Sequence, residues 1–300
     1  MVPDSPNSPD VPIANAPDRG RMLPRNRGWL DTITSIPALI IGSVLMVLIA
    51  AGPMQHVDYL LARRWLYHLE PDLLWFAQNV LDRVAGQAVC LPILIVVAVV
   101  LARRRRSWRP IQVAVLAELA FLIGVGTLKL IFARPVTYSR DPNFFDGGYL
   151  DMGAKGISFP SGHASEAVLI YGAVVYLITH YSSASPRLLR LLRWGVVVIS
   201  VNSVVVSFLL GWHWASDLLG GLMIGGLYLR IITQWDERMR AQGDRGVPRG
   251  LIPSAGGSEP RPLVSAMAFV YTALMLVTLI IALRFVNPTQ LVARVRTEDE

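Results

Sequence analysis

Seven long apolar stretches, separated by connections rich in arginine, constrain this chain more than any other feature of its sequence. They cover about 33–51, 88–101, 110–133, 164–179, 194–210, 215–232 and 263–283. A helix needs about 20 mostly apolar residues to cross the hydrocarbon core of a bilayer, where every backbone N–H and C=O must find a partner inside the protein. The expected fold class is therefore all-α, a polytopic integral membrane helix bundle. With 53% hydrophobic and 16% charged residues in 300, the chain is too apolar for an ordinary soluble domain. Its net charge of +7 is accordingly read by position and not as a nucleic-acid footprint.

Between these stretches the texture changes. Residues 1–28, rich in Pro, Asp, Asn and Arg, read as a disordered tail, and no short apolar core with a cleavage site marks a signal peptide. From 54 to 87, Leu60, Leu61, Trp65, Leu73, Leu74 and Phe76 recur among charges, the pattern of amphipathic helices lying at an interface. His56 and His68 there read as interfacial polar residues, and the single Cys90 as a buried hydrophobe. Gly220, Gly221, Gly225 and Gly226 predict close helix packing. Residues 235–262 read as a linker, 263–284 as an additional transmembrane helix and 285–300 as a tail.

Arginines sort the connections into two sides. One side holds Arg19, Arg21, Arg25 and Arg27, then Arg103 to Arg106 and Arg109, then Arg187, Arg190 and Arg193, then the cluster from Arg230 to Arg261. The positive-inside rule makes that side cytoplasmic, with the amino terminus and the linker on it and the carboxyl-terminal tail outside. The loop from Arg134 to His163 and the connection around His213 then share the outer face, although they flank different helices.

Those two places hold the chemistry. Pro160, Ser161, Gly162 and His163 precede one apolar stretch, and His213, four positions before Asp217, opens another. Residues four apart share a helical face, so Asp217 can accept a proton from one nitrogen of His213 and leave the other as a nucleophile. Lys129 and Arg134 sit at the outer end of the third stretch, where cations are costly unless they reach water or bind something.

Lys129, Arg134 with Pro135, the run from Pro160 to His163, and His213 with Asp217 together resemble the three-part signature of the type 2 phosphatidic acid phosphatase (PAP2) superfamily, in its membrane lipid phosphatase branch. The resemblance covers roughly 124–226 and implies a six-helix PAP2-like core over 29–234, with the seventh stretch as an extra helix. It further implies hydrolysis of a lipid phosphate or diphosphate, such as isoprenyl diphosphate, phosphatidylglycerophosphate or phosphatidate, at the outer face of a bacterial inner (plasma) membrane. His213 would be the nucleophile, Asp217 its orienting carboxylate and His163 the acid and base. Lys129, Arg134, Ser161 and the Gly162 amide would hold phosphate, with Arg140 a further donor; no metal or other cofactor is implied. The partners implied are the lipid substrate and the bilayer.

Two positions depart from the pattern. Arg134 follows Lys129 by five residues instead of seven, which puts Val136 in the usual arginine's place, and Ser207 occupies the position six before His213 where the family carries another arginine. Two alternatives follow: a lipid phosphotransferase using the same intermediate, and a lipid-phosphate-binding protein that has lost turnover. Glu118 and Asn202 read as hydrogen-bonding groups between helices, Glu166 as an orienter of His163 or a bundle-facing group, and Trp212 and Trp214 as an interfacial belt. Residues 141–151 read as a mobile cover, whose aspartates lack calcium-loop spacing.

Overall fold

The computed structural model describes residue 32 and residues 34–245 apart from 69. The expected tail over 1–28, the additional helix over 263–284, the tail over 285–300 and the linker beyond 245 lie outside the described residues.

Ser35 opens α1 (Ile36–Ala50), its hydroxyl accepting from Ala38 N at 3.4 Å while Pro37 occupies the first turn, where its missing N–H costs nothing. Gly52 and Pro53 break the chain before α2 (Met54–Leu61), and the two helical pieces bend by 69°. A short α3 (Pro71–Phe76) ends in a π turn (Ala77–Leu81). Leu60, Leu61, Leu73, Trp75 and Phe76 are exposed on these pieces, which suits the expected interfacial position. Next come α4 (Gln87–Arg105) and α5 (Arg109–Leu119), which runs through a π segment (Ala120–Val125) into α6 (Gly126–Phe132). A short α7 (Tyr149–Met152) precedes three long helices: α8 (Gly162–Tyr181), α9 (Pro186–Leu209) and α10 (Ala215–Arg245).

All described regular elements are helical. Among the described residues, five helical segments are long and apolar enough to cross a membrane, and the bent α1 pair makes a sixth if counted as one span. The chain is an integral membrane protein. At the centre stands α8, packed against α10, α4, α9 and α5. Leu91, Leu94 and Ala98 of α4, Ala114 and Ala117 of α5 and Leu169, Ile170 and Leu177 of α8 form its buried core.

Small residues set the spacing of α8 and α10, as expected. A Cβ at Gly221 would lie 2.6 Å from Ser161 O, and one at Gly225 the same distance from Ser165 O. The other two differ: a Cβ at Gly220 would meet the Phe159 ring, ahead of α8, at 2.6 Å, and one at Gly226 would meet Val168 at an ordinary 3.9 Å. Glu118 and Asn202 make the expected bonds between segments, to Gln87 Nε2 at 2.8 Å and to Leu81 O at 2.7 Å. One boundary differs: α10 runs on through 235–245, where the linker was expected to begin. Asp236 explains this, for its buried carboxylate accepts from the hydroxyls of Tyr176 and Tyr181, tying that polar turn to the end of α8.

Candidate active site

The amino-terminal ends of α8 and α10 meet. Ser161 caps α8, its Oγ accepting from Ala164 N, and its own N–H donates to Asp217 O at 3.0 Å. That backbone bond and the Gly221 approach lie within a few residues of each other, so the Ser161 and His213 motifs are held together. Helix amino termini carry unpaired N–H groups and a partial positive charge, an arrangement that suits phosphate.

His213 lies in the connection just before α10, its side chain 15% exposed. Nδ1 stands 3.5 Å from Asp217 Oδ2, close enough for an ion pair but without hydrogen-bond alignment. Burial pushes the imidazole below its ordinary pKa of 6.5, with Lys129 acting in the same direction and Asp217 against it. The ring is therefore neutral at pH 7, the state a nucleophile needs. Asp217 Oδ2 accepts from Trp214 N at 3.1 Å, closing the first turn of α10 as a capping carboxylate does.

Lys129 runs beside Gly162, its Nζ donating to Ile157 O at 3.0 Å and Ser158 O at 3.4 Å. An ammonium has three donors, so one is left. Gly162 is not a packing requirement: a Cβ there would meet Lys129 Cε at 3.8 Å and Phe121 Cζ at 3.9 Å, both ordinary contacts. Alanine also favours a helix by roughly 1 kcal/mol over glycine. Gly162→Ala is therefore expected to leave the melting temperature in detergent unchanged or raised, while raising KM for a phosphorylated substrate several-fold, because the methyl projects toward Lys129 where a phosphate would sit.

Residues 110–240 match the PAP2 superfamily. Phosphatidylglycerophosphatase B of Bacillus subtilis (strain 168) is 30% identical over 86 residues, which is 28% of this chain and 41% of that protein. The chain thus matches about two fifths of that curated relative's length. The crystal structure of a transmembrane PAP2 type phosphatidylglycerolphosphate phosphatase from Bacillus subtilis superposes with a TM-score of 0.54 at 17% identity, covering 68% of this chain and 96% of that one.

Within the PAP2 segment, Arg134 departs most from expectation. Its side chain is wholly buried. Nε donates to Pro142 O at 2.9 Å, Nη1 to Ser216 Oγ at 2.7 Å and Asp217 Oδ1 at 2.6 Å, and Nη2 to Asp58 Oδ2 at 2.8 Å. Four bonds leave one of the five guanidinium donors. Asp58 also accepts from Ser216 N at 3.1 Å and from Ser216 Oγ. Arg134 is thus committed to the protein, between α2 and α10, with Phe144 and Trp214 stacked at 4.6 and 5.2 Å from its Cζ.

Several peripheral expectations change with it. Trp214 is not part of an interfacial belt: it is 1% exposed and donates Nε1 to Pro135 O at 2.8 Å. The cover expected over 141–151 is anchored, with Phe144 buried against Phe132 and Phe159, and Gly147 N donating to Ala133 O at 2.7 Å. Arg140 has an exposed side chain, and no hydrogen bond or ion pair joins it to either histidine. Val136 and Ser207, which stand in the places of the family's arginines, are buried. Glu166 is buried and makes no hydrogen bond to His163.

Three residues that the sequence reading passed over meet the PAP2 segment from outside its matched limits. Besides Asp58, Asp82 places Oδ2 3.4 Å from His163 Nε2. Arg64 lies across Gly211, two residues before His213: a Cβ there would come within 2.9 Å of Arg64 Cγ, and Arg64 Nε is buried without a partner. The sequence carries only a weak signal for them, a charge in a membrane chain, and Arg64 and Asp82 have the charged neighbours Arg63 and Arg83. Among the described residues, no group of three or more His, Cys, Asp and Glu is placed to hold a metal ion.

Proposed function

We propose that this protein removes phosphate from a lipid phosphate at the extracytoplasmic face of a membrane, through a phosphohistidine on His213 and without a divalent ion. The observation that carries this reading is the meeting of two helix amino termini with a neutral, carboxylate-backed His213, with His163 and with Lys129.

Nε2 of His213 attacks phosphorus, and the electron pair of the P–O bond leaves with the alcohol oxygen, which takes a proton from His163. In the second half water attacks phosphorus, gives a proton to His163 and returns the P–N electron pair to His213. Asp217 offsets the positive ring that forms in between. Lys129, Ser161 Oγ and the amides of Gly162 and His163 face the phosphate oxygens, where charge grows in the transition state. Arg134 serves by fixing Asp217.

Arginine placement supports the outer face. Arg105 donates to Tyr181 O at 2.8 Å, and Arg240 Nη2 lies 2.9 Å from His180 Nδ1. These contacts mark the end of α8 opposite Ser161, across 20 residues or about 30 Å of helix. The arginine-rich end is the cytoplasmic one by the positive-inside rule. Phosphatidylglycerophosphate leads the candidate substrates, because it is what the names of both relatives specify.

Purified protein in detergent with excess EDTA is expected to release inorganic phosphate from phosphatidylglycerophosphate, and acid-labile, base-stable phosphate should be trapped on His213. Strict dependence on an added divalent ion, or phosphate release with no label ever on His213, would overturn the mechanism. Release from phosphatidate or an isoprenyl diphosphate alone would reassign the substrate.

A further inference from the structure

We infer that Asp82 is a positioning residue for His163, the carboxylate that holds the acid and base in register as Asp217 holds the nucleophile. This rests on the phosphohistidine reading above and deepens it. Asp82 lies in the turn between α3 with its π extension and α4, outside the matched PAP2 segment, and 81 positions before the histidine it meets.

Three observations converge on this turn. Oδ2 of Asp82 lies 3.4 Å from Nε2 of His163, and the carboxylate is buried while the imidazole is 34% exposed. A buried carboxylate is costly unless its oxygens are satisfied. The other oxygen, Oδ1, accepts from Ser207 Oγ at 3.2 Å, so both sides of the group have a partner. Four residues on, a Cβ at Gly86 would stand 3.0 Å from His163 Nε2, so the backbone of the same turn lies against the ring. Residues 82–86 therefore form a seat for one edge of the imidazole, and Nδ1 is the nitrogen left for the leaving oxygen and, later, for water.

Ser207 gains a purpose from this arrangement. It belongs to α9, whose far end leads through Gly211 to His213, and its hydroxyl joins that helix to the carboxylate behind His163. The two histidines are thus linked through Asp82 as well as through the Ser161 to Asp217 backbone bond. Glu166, the nearer carboxylate in sequence, does not take this part, since no bond joins it to the ring.

The test is the isosteric Asp82→Asn, with Asp82→Glu and Ser207→Ala beside it. Each half of the reaction uses His163, but an aryl leaving group departs without help from an acid. With an aryl phosphate carrying a hydrocarbon tail, Asp82→Asn is expected to form the phosphohistidine readily and break it down slowly. Label on His213 in samples quenched in alkaline detergent should rise at least several-fold over wild type. Steady-state turnover of the natural type of substrate, an alkyl phosphate, should fall on the order of 10- to 100-fold in kcat with little change in KM, at or below the low end of the hundred- to ten-thousandfold that a placed acid or base supplies, since His163 itself remains. Asp82→Glu should recover part of the loss, and Ser207→Ala should reproduce it in weaker form with an unaltered melting temperature.

Wild-type turnover in Asp82→Asn would overturn the assignment. So would equal loss on both substrates with no rise in trapped phosphohistidine, which is the signature of a purely structural carboxylate; if Asp82→Asn fails to fold, a Ser207→Ala protein with wild-type kinetics and no extra label does the same. In each of these cases inactivity of His213→Ala with label trapped in wild type would leave the phosphohistidine reading standing. Absence of label from wild type and every variant, with His213→Ala active, would remove both.

Discussion

His213→Ala is expected to lower turnover of a lipid phosphate by about 10⁴-fold or more, the scale seen when a covalent nucleophile is removed, while binding of the lipid phosphate changes only several-fold. The asymmetry follows from where the binding groups sit. Lys129, Ser161 and the first amides of α8 do not depend on the imidazole, whereas no other described side chain has Asp217 behind it in the same way. The pH profile gives a companion test. A nucleophilic imidazole must be unprotonated, and burial lowers the His213 pKa from 6.5, so the neutral fraction remains high as pH falls through 6.5. The acid limb of kcat/KM should therefore lie below pH 6.5 and vanish with the enzyme's activity in His213→Ala. An acid limb well above pH 6.5, or appreciable turnover by the variant, would assign the nucleophile elsewhere.

Much of the bundle was legible because the bilayer makes demands that composition must meet. A spanning helix has to be long and apolar, and its ends have to carry the polar residues, so both the spans and the positions of His163 and His213 at helix starts could be read directly. The close approach of α8 and α10 was legible in Gly221 and Gly225 for a similar reason, since only a missing Cβ allows it. Asp58 and Asp82 were not legible. Each acts on a partner more than 70 residues away, Arg134 and His163, and nothing in their own surroundings announces it. Trp214 was misread because an aromatic at a helix start suits both an interface and a buried site; its bond to Pro135 O decided the matter. The end of α10 was misread because Asp236 and its neighbours look like a polar connection until Tyr176 and Tyr181 are found to close over the carboxylate.

Arg134 gives the sharpest separation between what its position in the sequence suggests and what its contacts do. As a phosphate donor its loss would raise KM and leave the fold alone. As the group that neutralises Asp58 and Asp217 in a buried site, its loss leaves two buried carboxylates without their shared cation, together with Pro142 O unsatisfied. Breaking a buried ion pair from one side costs about 3–5 kcal/mol. Arg134→Ala is thus expected to lower the melting temperature in detergent by roughly 6–20 °C, taking about 2–4 °C per kcal/mol for a chain of this size. The decisive measurement is the double substitution Arg134→Ala with Asp58→Asn. Removing the second buried charge relieves part of the repulsion, so the pair should lose less stability than the sum of the single losses, a coupling that groups in one network show and independent sites do not. Activity should fall in both proteins, because Asp217 loses the guanidinium that holds Oδ1 and with it the alignment of Oδ2 beneath His213. A single variant with an unchanged melting temperature and an elevated KM would return Arg134 to the phosphate. The network explains why that outcome is not expected: a guanidinium already bound to two carboxylates, a hydroxyl and a carbonyl has one donor left, and its side chain has no exposed surface from which to offer it.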